Sequence, residues 1–526
     1  MKVWLYDTTL RDGAQMEGVS FSLQDKIKIA RKLDAFGFPY IEGGWPGSNP
    51  KDIRFFQEMK RNPLKRAKLC AFTMTRRIKY IPSRDPSLRK ALEAETPVIT
   101  LFGKSWLLHV EQVLRISPKD NLKIIEDSVR YLKKKGREVI YDAEHFFDGF
   151  KDNSEYALKT LFAAEKGGAD CLVLCDTNGG SLPFEMEEII RRVKKEVKPP
   201  LGIHTHNDNG MAVANTIIAV KMGVSHVQGT INGLGERCGN ADLCSVIPNL
   251  QLKMGIKCLP ESSLRRLTEL SHLVYEVANL IPLPHQPFVG ESAFAHKGGT
   301  HVDAVRKVSR SFEHISPELV GNIRKILTSE LSGRSNIILK AREFGIHLDK
   351  NSPQVEQLLN RIKTMESEGY EFEAADASLE LLIREELGDT QEYFELEGFR
   401  VYVGEKKGRP FTEATVQIKV GEDIEHTAAE GNGPVDALTN ALHKALLKFY
   451  PTLKELQLID YKVRIVNPHK GTAATTRVLV RFKDPYRIFT TVGVSPNILE
   501  ASWEALVNAL NYKLLKDREL KAKNNK

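Results

Sequence analysis

Short apolar runs alternate with longer amphipathic stretches from residue 3 to about residue 255. The runs are VWLYDTTL (3–10), YIEGG (40–44), KLCAFT (68–73), VITLFG (98–103), EVIYDAEHF (138–146), CLVLCDT (171–177), LGIHTHN (201–207) and HVQGTING (226–233), which makes eight candidate strands. The stretches between them, such as SLQDKIKIARKLDAFG, NLKIIEDSVRYLKKKG and PFEMEEIIRRVKKEV, carry a helical period. In the first of these Ile27, Ala30 and Leu33 share a face and Gly37 supplies the stop. Strand, helix, strand in alternation predicts parallel pairing with right-handed crossovers. Eight such units in about 250 residues is the size of a closed (β/α)8 TIM barrel. An open doubly wound sheet is the alternative, but no Gly-rich dinucleotide fingerprint opens the first helix.

Beyond residue 255 the pattern changes. NLIPLPHQPFVGESAFAHKGGTHVDAV is rich in Pro and Gly and reads as a linker, with His296 and His301 flanking a Gly-Gly turn. Residues 313 to about 393 then predict short helices, among them PELVGN, SELSGRSNIILKAREFG, PQVEQLLNRIKTMESEG and ASLELLIREEL. From Phe399 to about Leu515 the chain repeats itself. EATVQIKVGEDIEHTAAEGNGPVDALTNALHKALLKFY and TRVLVRFKDPYRIFTTVGVSPNILEASWEALVNALNYKL share the order strand, turn, strand, Gly-containing loop, amphipathic helix. The expected organisation is an α/β barrel over residues 1–280, a mostly helical linker region over 281–395 and a pseudo-symmetric α+β domain over 396–526.

Composition narrows the classes. A net charge of +8 is small for 526 residues, and part of it lies in the last residues, KLLKDRELKAKNNK, which read as a solvated, fraying helix end. No aromatic or Gly-rich motif accompanies them, so a nucleic-acid partner is not expected. Six cysteines without a CxxC pair predict reduced thiols, with Cys171 and Cys175 packed in or beside a strand. No apolar run reaches the roughly 18 residues needed to span a bilayer, and the N-terminus enters a strand without a signal-peptide core. A soluble, cytoplasmic chain with no membrane partner is the expectation.

Nearly every barrel run ends in chemically capable residues: Asp7 followed by Arg11 and Asp12, Glu42, Thr73, Glu144, Asp176 and Thr177, His204 and His206, Asn232. Active sites of barrels lie at that C-terminal face, so these residues are expected to converge on one pocket. In LGIHTHN the two histidines, separated by one residue on a strand, point the same way. With Asp12 after the first strand and Asn240 in the loop after the eighth, His204 and His206 make a candidate site for one divalent ion. One carboxylate, two imidazoles and an amide oxygen suit Mn, Co, Zn or Mg alike. Open positions on such an ion would take a 2-oxo acid, and Arg11 beside it would stabilise an oxyanion or enolate.

The segments YDTTLRDGAQ, His204-Thr205-His206 and GLGERCGNADL resemble the signatures of the DRE-TIM metallolyases, barrel enzymes that join or split acyl-CoA and oxo acids; Asp12, Arg11 and Glu42 match the residues of that label. The C-terminal repeat is similar to the βββα repeat of the 2-isopropylmalate and citramalate synthases. EGGWPGSNPKD, TLFGKSWLLHV and YDAEHFFDG resemble the citramalate synthases most closely.

The resemblance implies an acyltransferase that runs a Claisen condensation of acetyl-CoA with pyruvate, in isoleucine biosynthesis. It implies Asp12, His204, His206 and Asn240 as ligands of a divalent metal, Arg11 and Thr177 as substrate-binding, Arg11 and Glu42 as catalytic, and Glu144 and His301 as the catalytic pair that deprotonates the acetyl group. His301 would arrive from a partner subunit, so a homodimer or higher homo-oligomer is implied. The C-terminal repeat resembles a LeuA-type regulatory domain, with isoleucine as the implied effector. At one position the sequence departs from short-form citramalate synthases, with Asp142 standing where those carry an aromatic residue. Alternatives are 2-isopropylmalate or homocitrate synthesis, the reverse lyase reaction, and an amino-acid sensor with an inactive barrel.

Overall fold

The structure, a computed structural model, describes residues 2–327, 334–349, 352–406, 408–467, 471 and 473–524. The chain forms two compact units, one of Met1–Phe294 with His314–Arg324 and the other of Ala295–Glu313 with Lys325–Lys526.

In the first unit the eight expected strands are all present: β1 (Trp4–Asp7), β2 (Tyr40–Gly44), β3 (Lys68–Met74), β4 (Val98–Lys104), β5 (Glu138–Glu144), β6 (Cys171–Asp176), β7 (Leu201–Thr205) and β8 (His226–Gly229). They form a closed barrel in chain order, and β8 pairs in parallel with β1 to complete it. Side chains alternate along each strand, and the alternation sorts them into two layers. Tyr6, Cys70, Val98, Ile140, Cys171, Val173 and Cys175 meet inside the barrel. Leu5, Ile41, Ala71, Ile99, Val139, Leu172, Ile203 and Val227 belong to the larger core between the strands and the surrounding helices.

The helices begin where sequence chemistry starts them. Ser22 and Asp25 form a reciprocal capping box for Leu23–Phe36, and Gly37, left-handed at φ +93°, ends that helix. Asn49, Asp85 and Ser117 each cap a helix whose first residue is proline. The expected face of Leu23–Phe36 packs on the core and is wider than Ile27, Ala30 and Leu33 alone. Ile29, Ala30 and Leu33 are fully buried, Ile27 is half-buried, and Lys26 takes the core position. Its ammonium reaches over the end of β2 to donate to Gly43 O (3.0 Å) and pair with Asp52, so a long aliphatic stem fills core space while its charge is satisfied.

The second unit opens with a parallel two-strand bridge, β9 (Ala295–His296) with β10 (Lys325–Ile326). The expected Gly-Gly turn is instead a helix start, with Gly298 as the cap and His301 in the first turn of Gly299–Lys307. Helices Arg334–Glu343, Pro353–Glu368 and Asp376–Glu386 follow; residues 329–333 of the expected SELSGRSNIILKAREFG helix lie outside the described residues.

The repeat is a βββα unit used twice. Strands β11 (Glu395–Lys406), β12 (Arg409–Val420) and β13 (Asp423–Gly431) precede helix Pro434–Leu446, and β14 (Gln457–Ile465), β15 (Thr476–Lys483) and β16 (Ile488–Ser495) precede helix Ile498–Asn524. Each copy carries a bulge near the start of its first strand, at Leu396/Gly398 and Leu458/Asp460. Each ties its third strand to its helix by a threonine, Thr427 Oγ1 donating to Ala441 O (2.8 Å) and Thr491 Oγ1 to Ala505 O (2.6 Å).

The expected fraying end is corrected. The last helix runs to Asn524; Lys513 is buried and donates to Asp517 (2.9 Å) and Glu455 (3.1 Å), Lys516 pairs with Glu380, and Arg384 pairs with Glu519. Leu514 and Leu515 are buried, which anchors the segment whose charges suggested a solvated tail. Among the described residues no helix is long and apolar enough to cross a membrane.

Candidate metal centre

A tight turn follows β1. The backbone N–H groups of Arg11 and Asp12 both donate to Thr8 O (3.1 and 2.9 Å), which brings both side chains over the barrel mouth. On β7 His204 points inward, and Thr205 points out to the Thr216 hydroxyl (3.0 Å). The strand stops at Thr205, yet His206 keeps the alternation because a β-bridge to Asn240 holds it. The loop after β8 folds back so that Asn240 N donates to Gly233 O (3.0 Å) and Asn207 N to Gly239 O (2.9 Å). That return requires Gly239, which has φ +88° and where a Cβ would lie 1.9 Å from Gly233 O.

Asp12, His204 and His206 present ligand atoms that all lie within 4.8 Å of one another. His204 Nε2 is 3.3 Å from His206 Nε2 and 3.4 Å from Asp12 Oδ2. Asn240 is buried beside them; its Nδ2 donates to Leu234 O (3.3 Å), and Asn240 Oδ1 has no hydrogen-bond partner among the described residues. Burial opposes ionisation of Asp12, but the Arg11 guanidinium, the two imidazoles and the Asn240 amide outweigh it and hold the carboxyl down to about 2. Burial lowers both histidines, His206 to about 4 with His204 adding to the effect. At neutral pH the cluster is therefore one carboxylate, two neutral imidazoles and an unsatisfied amide oxygen. A carboxylate, two imidazole lone pairs and an amide oxygen left without a partner among the described residues form a donor set that fits a divalent cation.

Arg11 is held from three sides. Its Nε pairs with Glu42, its NH1 donates to Asp12 Oδ2 (3.1 Å), and its guanidinium stacks 3.8 Å from the Phe72 ring centroid. Burial disfavours the charge, but Glu42 and Asp12 hold the guanidinium in its charged form. Glu42 is fully buried, and its second oxygen accepts from Tyr6 OH (2.7 Å). It sits behind Arg11 and does not line the pocket.

The pocket above the cluster has a volume of about 200 Å³. Trp45, Phe72 and Phe102 form one wall, with Phe72 and Phe102 stacked at 5.2 Å and Trp45 edge-on to both. Asp142 and Cys175 line its interior, and Glu144, Thr177 and Arg237 line it as well. Glu144 is ion-paired with Lys104. Thr177 Oγ1 accepts from His145 N (2.8 Å), which leaves the Thr177 hydroxyl hydrogen free for a ligand. Arg237 grips Asp208 (2.7 and 3.0 Å) and donates to Thr177 O (2.6 Å). A wider cleft of about 690 Å³, lined by Arg31, Arg61, Lys65 and Arg66, contains none of the expected site residues.

Not every polar strand end converges on the pocket. Asp7 accepts from Thr9 N and Oγ1, and burial, only partly offset by these bonds, pushes it up to about 7. Asp176 accepts from Ser181 Oγ (2.9 Å), and Asn232 accepts from Ser271 Oγ (2.6 Å). These three hold loops in place. His301 belongs to the second unit, where its exposed ring stacks on Phe312 at 4.2 Å. The structure adds groups that motif reading passed over. Gln228, a polar residue inside the apolar run of β8, bonds His204, and Trp45 and Arg237 complete the pocket.

Three family models match the chain: "HMGL-like" over residues 2–274, "Homocitrate synthase post-HMGL domain-like" over 288–370, and "LeuA allosteric (dimerisation) domain" over 373–514. The chain is 56% identical over 521 residues to an (R)-citramalate synthase of Geobacter sulfurreducens, covering 98% of each protein. It is 57% identical over 522 residues to that of Aquifex aeolicus, covering 98% of this chain and 99% of the other. A 2-isopropylmalate synthase of Methanocaldococcus jannaschii is 34% identical over 523 residues, covering 98% of this chain and 96% of the other.

Proposed function

Because the chain belongs to the (R)-citramalate synthase family, we propose that it condenses acetyl-CoA with pyruvate and water to give (R)-citramalate and CoA. The observation that carries this reading is the buried Asp12, His204 and His206 cluster, with Arg11 beside it, under a small pocket with an aromatic wall.

Asp12, His204, His206 and Asn240 would hold a divalent ion, which supplies Lewis acidity to a 2-oxo group when bound. Thr177 donates its free hydroxyl to the pyruvate carboxylate. Glu144 paired with His301 of the partner subunit removes one methyl proton of acetyl-CoA, and the enolate carbon forms its bond to C2 of pyruvate as the C2=O π pair moves onto oxygen, which then takes a proton. Arg11, kept in position by Glu42, donates to the oxygen on which negative charge develops. Water then cleaves the thioester and CoA leaves. Glu42 acts through Arg11 and is a positioning residue. The pocket of about 200 Å³, walled by Trp45, Phe72 and Phe102, favours the methyl of pyruvate over a branched side chain.

We also infer a homodimer, regulated by isoleucine through the C-terminal repeat. Tyr402, Val403, Leu458, Val463 and Ile465 are exposed on the strands of its two sheets, and a second copy would cover them. All six cysteines are free, which suits a cytoplasmic protein.

The test is release of CoA thiol from acetyl-CoA with a panel of 2-oxo acids, with pyruvate expected to give the highest kcat/KM. A higher value with 2-oxoisovalerate would overturn the reading in favour of 2-isopropylmalate synthesis.

A further inference from the structure

The inner wall of the barrel carries a hydrogen-bonded line that ends on a candidate metal ligand. Gln228 Nε2 donates to Asp142 Oδ1 (3.0 Å), and Gln228 Oε1 lies 2.9 Å from His204 Nδ1. All three side chains are buried, Gln228 completely. Among the described residues no other bond constrains the Gln228 amide, so the carboxyl of Asp142 decides which way round it lies. With its N–H₂ turned to Asp142, the amide offers only oxygen to His204. His204 must then carry its proton on Nδ1, and the lone pair on Nε2 faces His206 and Asp12.

We infer that Asp142 and Gln228 are positioning residues that fix the Nδ1–H tautomer of His204 and so aim its Nε2 lone pair at the metal. The inference rests on the metal-site reading above and adds the mechanism that prepares the site before an ion arrives. The role requires Asp142 Oδ1 to accept from the amide, as it does when that oxygen carries no proton; a hydroxyl at Oδ1 would donate and admit the reversed amide. The opposite arrangement, with the amide reversed, would put a hydrogen on Nε2 and block the ligand position; the orientation of one buried amide therefore governs the site. Asp142 also lines the substrate pocket, so the same carboxyl borders the oxo acid and, through Gln228, acts on the ion.

Calorimetric titration of the full chain with Mn(II) or Co(II) is the test, with folding checked by circular dichroism. Gln228→Leu and Asp142→Leu should each weaken metal affinity about 10- to 100-fold. Gln228→Glu combined with Asp142→Asn reverses the donor at the far link and keeps an acceptor facing His204, so it should restore affinity to within about threefold of the parent. A parent-like Kd in folded Gln228→Leu overturns the relay. If the leucine variants do not fold, ¹⁵N-histidine spectra of the metal-free parent decide: an Nδ1–H tautomer for His204 supports the relay, and an Nε2–H tautomer overturns it. Failure of the underlying site would look different, because the parent itself would bind no ion and His206→Ala would change nothing.

Discussion

At the scale of single residues, burial sets what each titratable group can do. His226 is buried between Tyr6 and Tyr40 at ring distances of 5.2 and 5.7 Å, its Nε2 has no partner among the described residues, and burial alone pushes it from 6.5 down to about 3. Between those two values the unfolded chain binds a proton that the folded chain refuses, so stability falls as pH falls. Each pH unit across that window costs about 1.4 kcal/mol from this one site. His226→Phe should flatten the dependence of unfolding free energy on pH by about that slope between pH 6 and pH 4, measured by denaturant titration; an unchanged slope would contradict the assignment. The pairing of His204 with His206 was legible because strand alternation needs no tertiary knowledge. What Asp7 and Asp176 do was not, since a carboxylate at a strand end reads the same in sequence whether it meets substrate or caps a turn.

At the scale of elements, the eight strands could be read from apolar runs because both barrel layers demand apolar side chains at most strand positions. The last helix defeated that reading because its charged side chains were taken to face water, and here Lys513 and Lys516 are paired in the interior. The loop after β8 shows the converse, a structural demand that is visible as glycine. Gly239 lets the chain return onto Gly233 and sets Asn240 beside His206. Gly239→Ala adds a methyl 1.9 Å from a carbonyl oxygen at a left-handed position. It should cost about 1–3 kcal/mol and weaken metal affinity, because Asn240 is displaced with the loop. Thermal unfolding and Mn(II) titration together check this, and lost stability with unchanged affinity would separate Asn240 from the metal.

At the scale of the whole molecule, the barrel has its own core, and the candidate metal ligands Asp12, His204 and His206 all belong to the first unit. The second unit is less divisible than its sequence suggests. Val492 of β16 shares a core with Leu358, Ile362 and Leu382 of the preceding helices, and Val492 N donates to Ser378 Oγ (3.0 Å). Glu380, on one of those helices, is fully buried and receives Arg384 and Lys516. A chain ending at residue 395 would therefore lose the C-terminal repeat, expose that apolar surface and leave Glu380 with Arg384 but without Lys516. Such a truncation should unfold its helical region at markedly lower temperature, keep parent-like Mn(II) affinity in the barrel and show no inhibition by isoleucine. Calorimetry of unfolding, metal titration and an inhibition curve read these three outcomes separately. Because metal affinity reports the barrel alone, an unchanged isoleucine response in a truncated chain that still binds Mn(II) would remove the C-terminal repeat as the effector site, whatever had become of its stability.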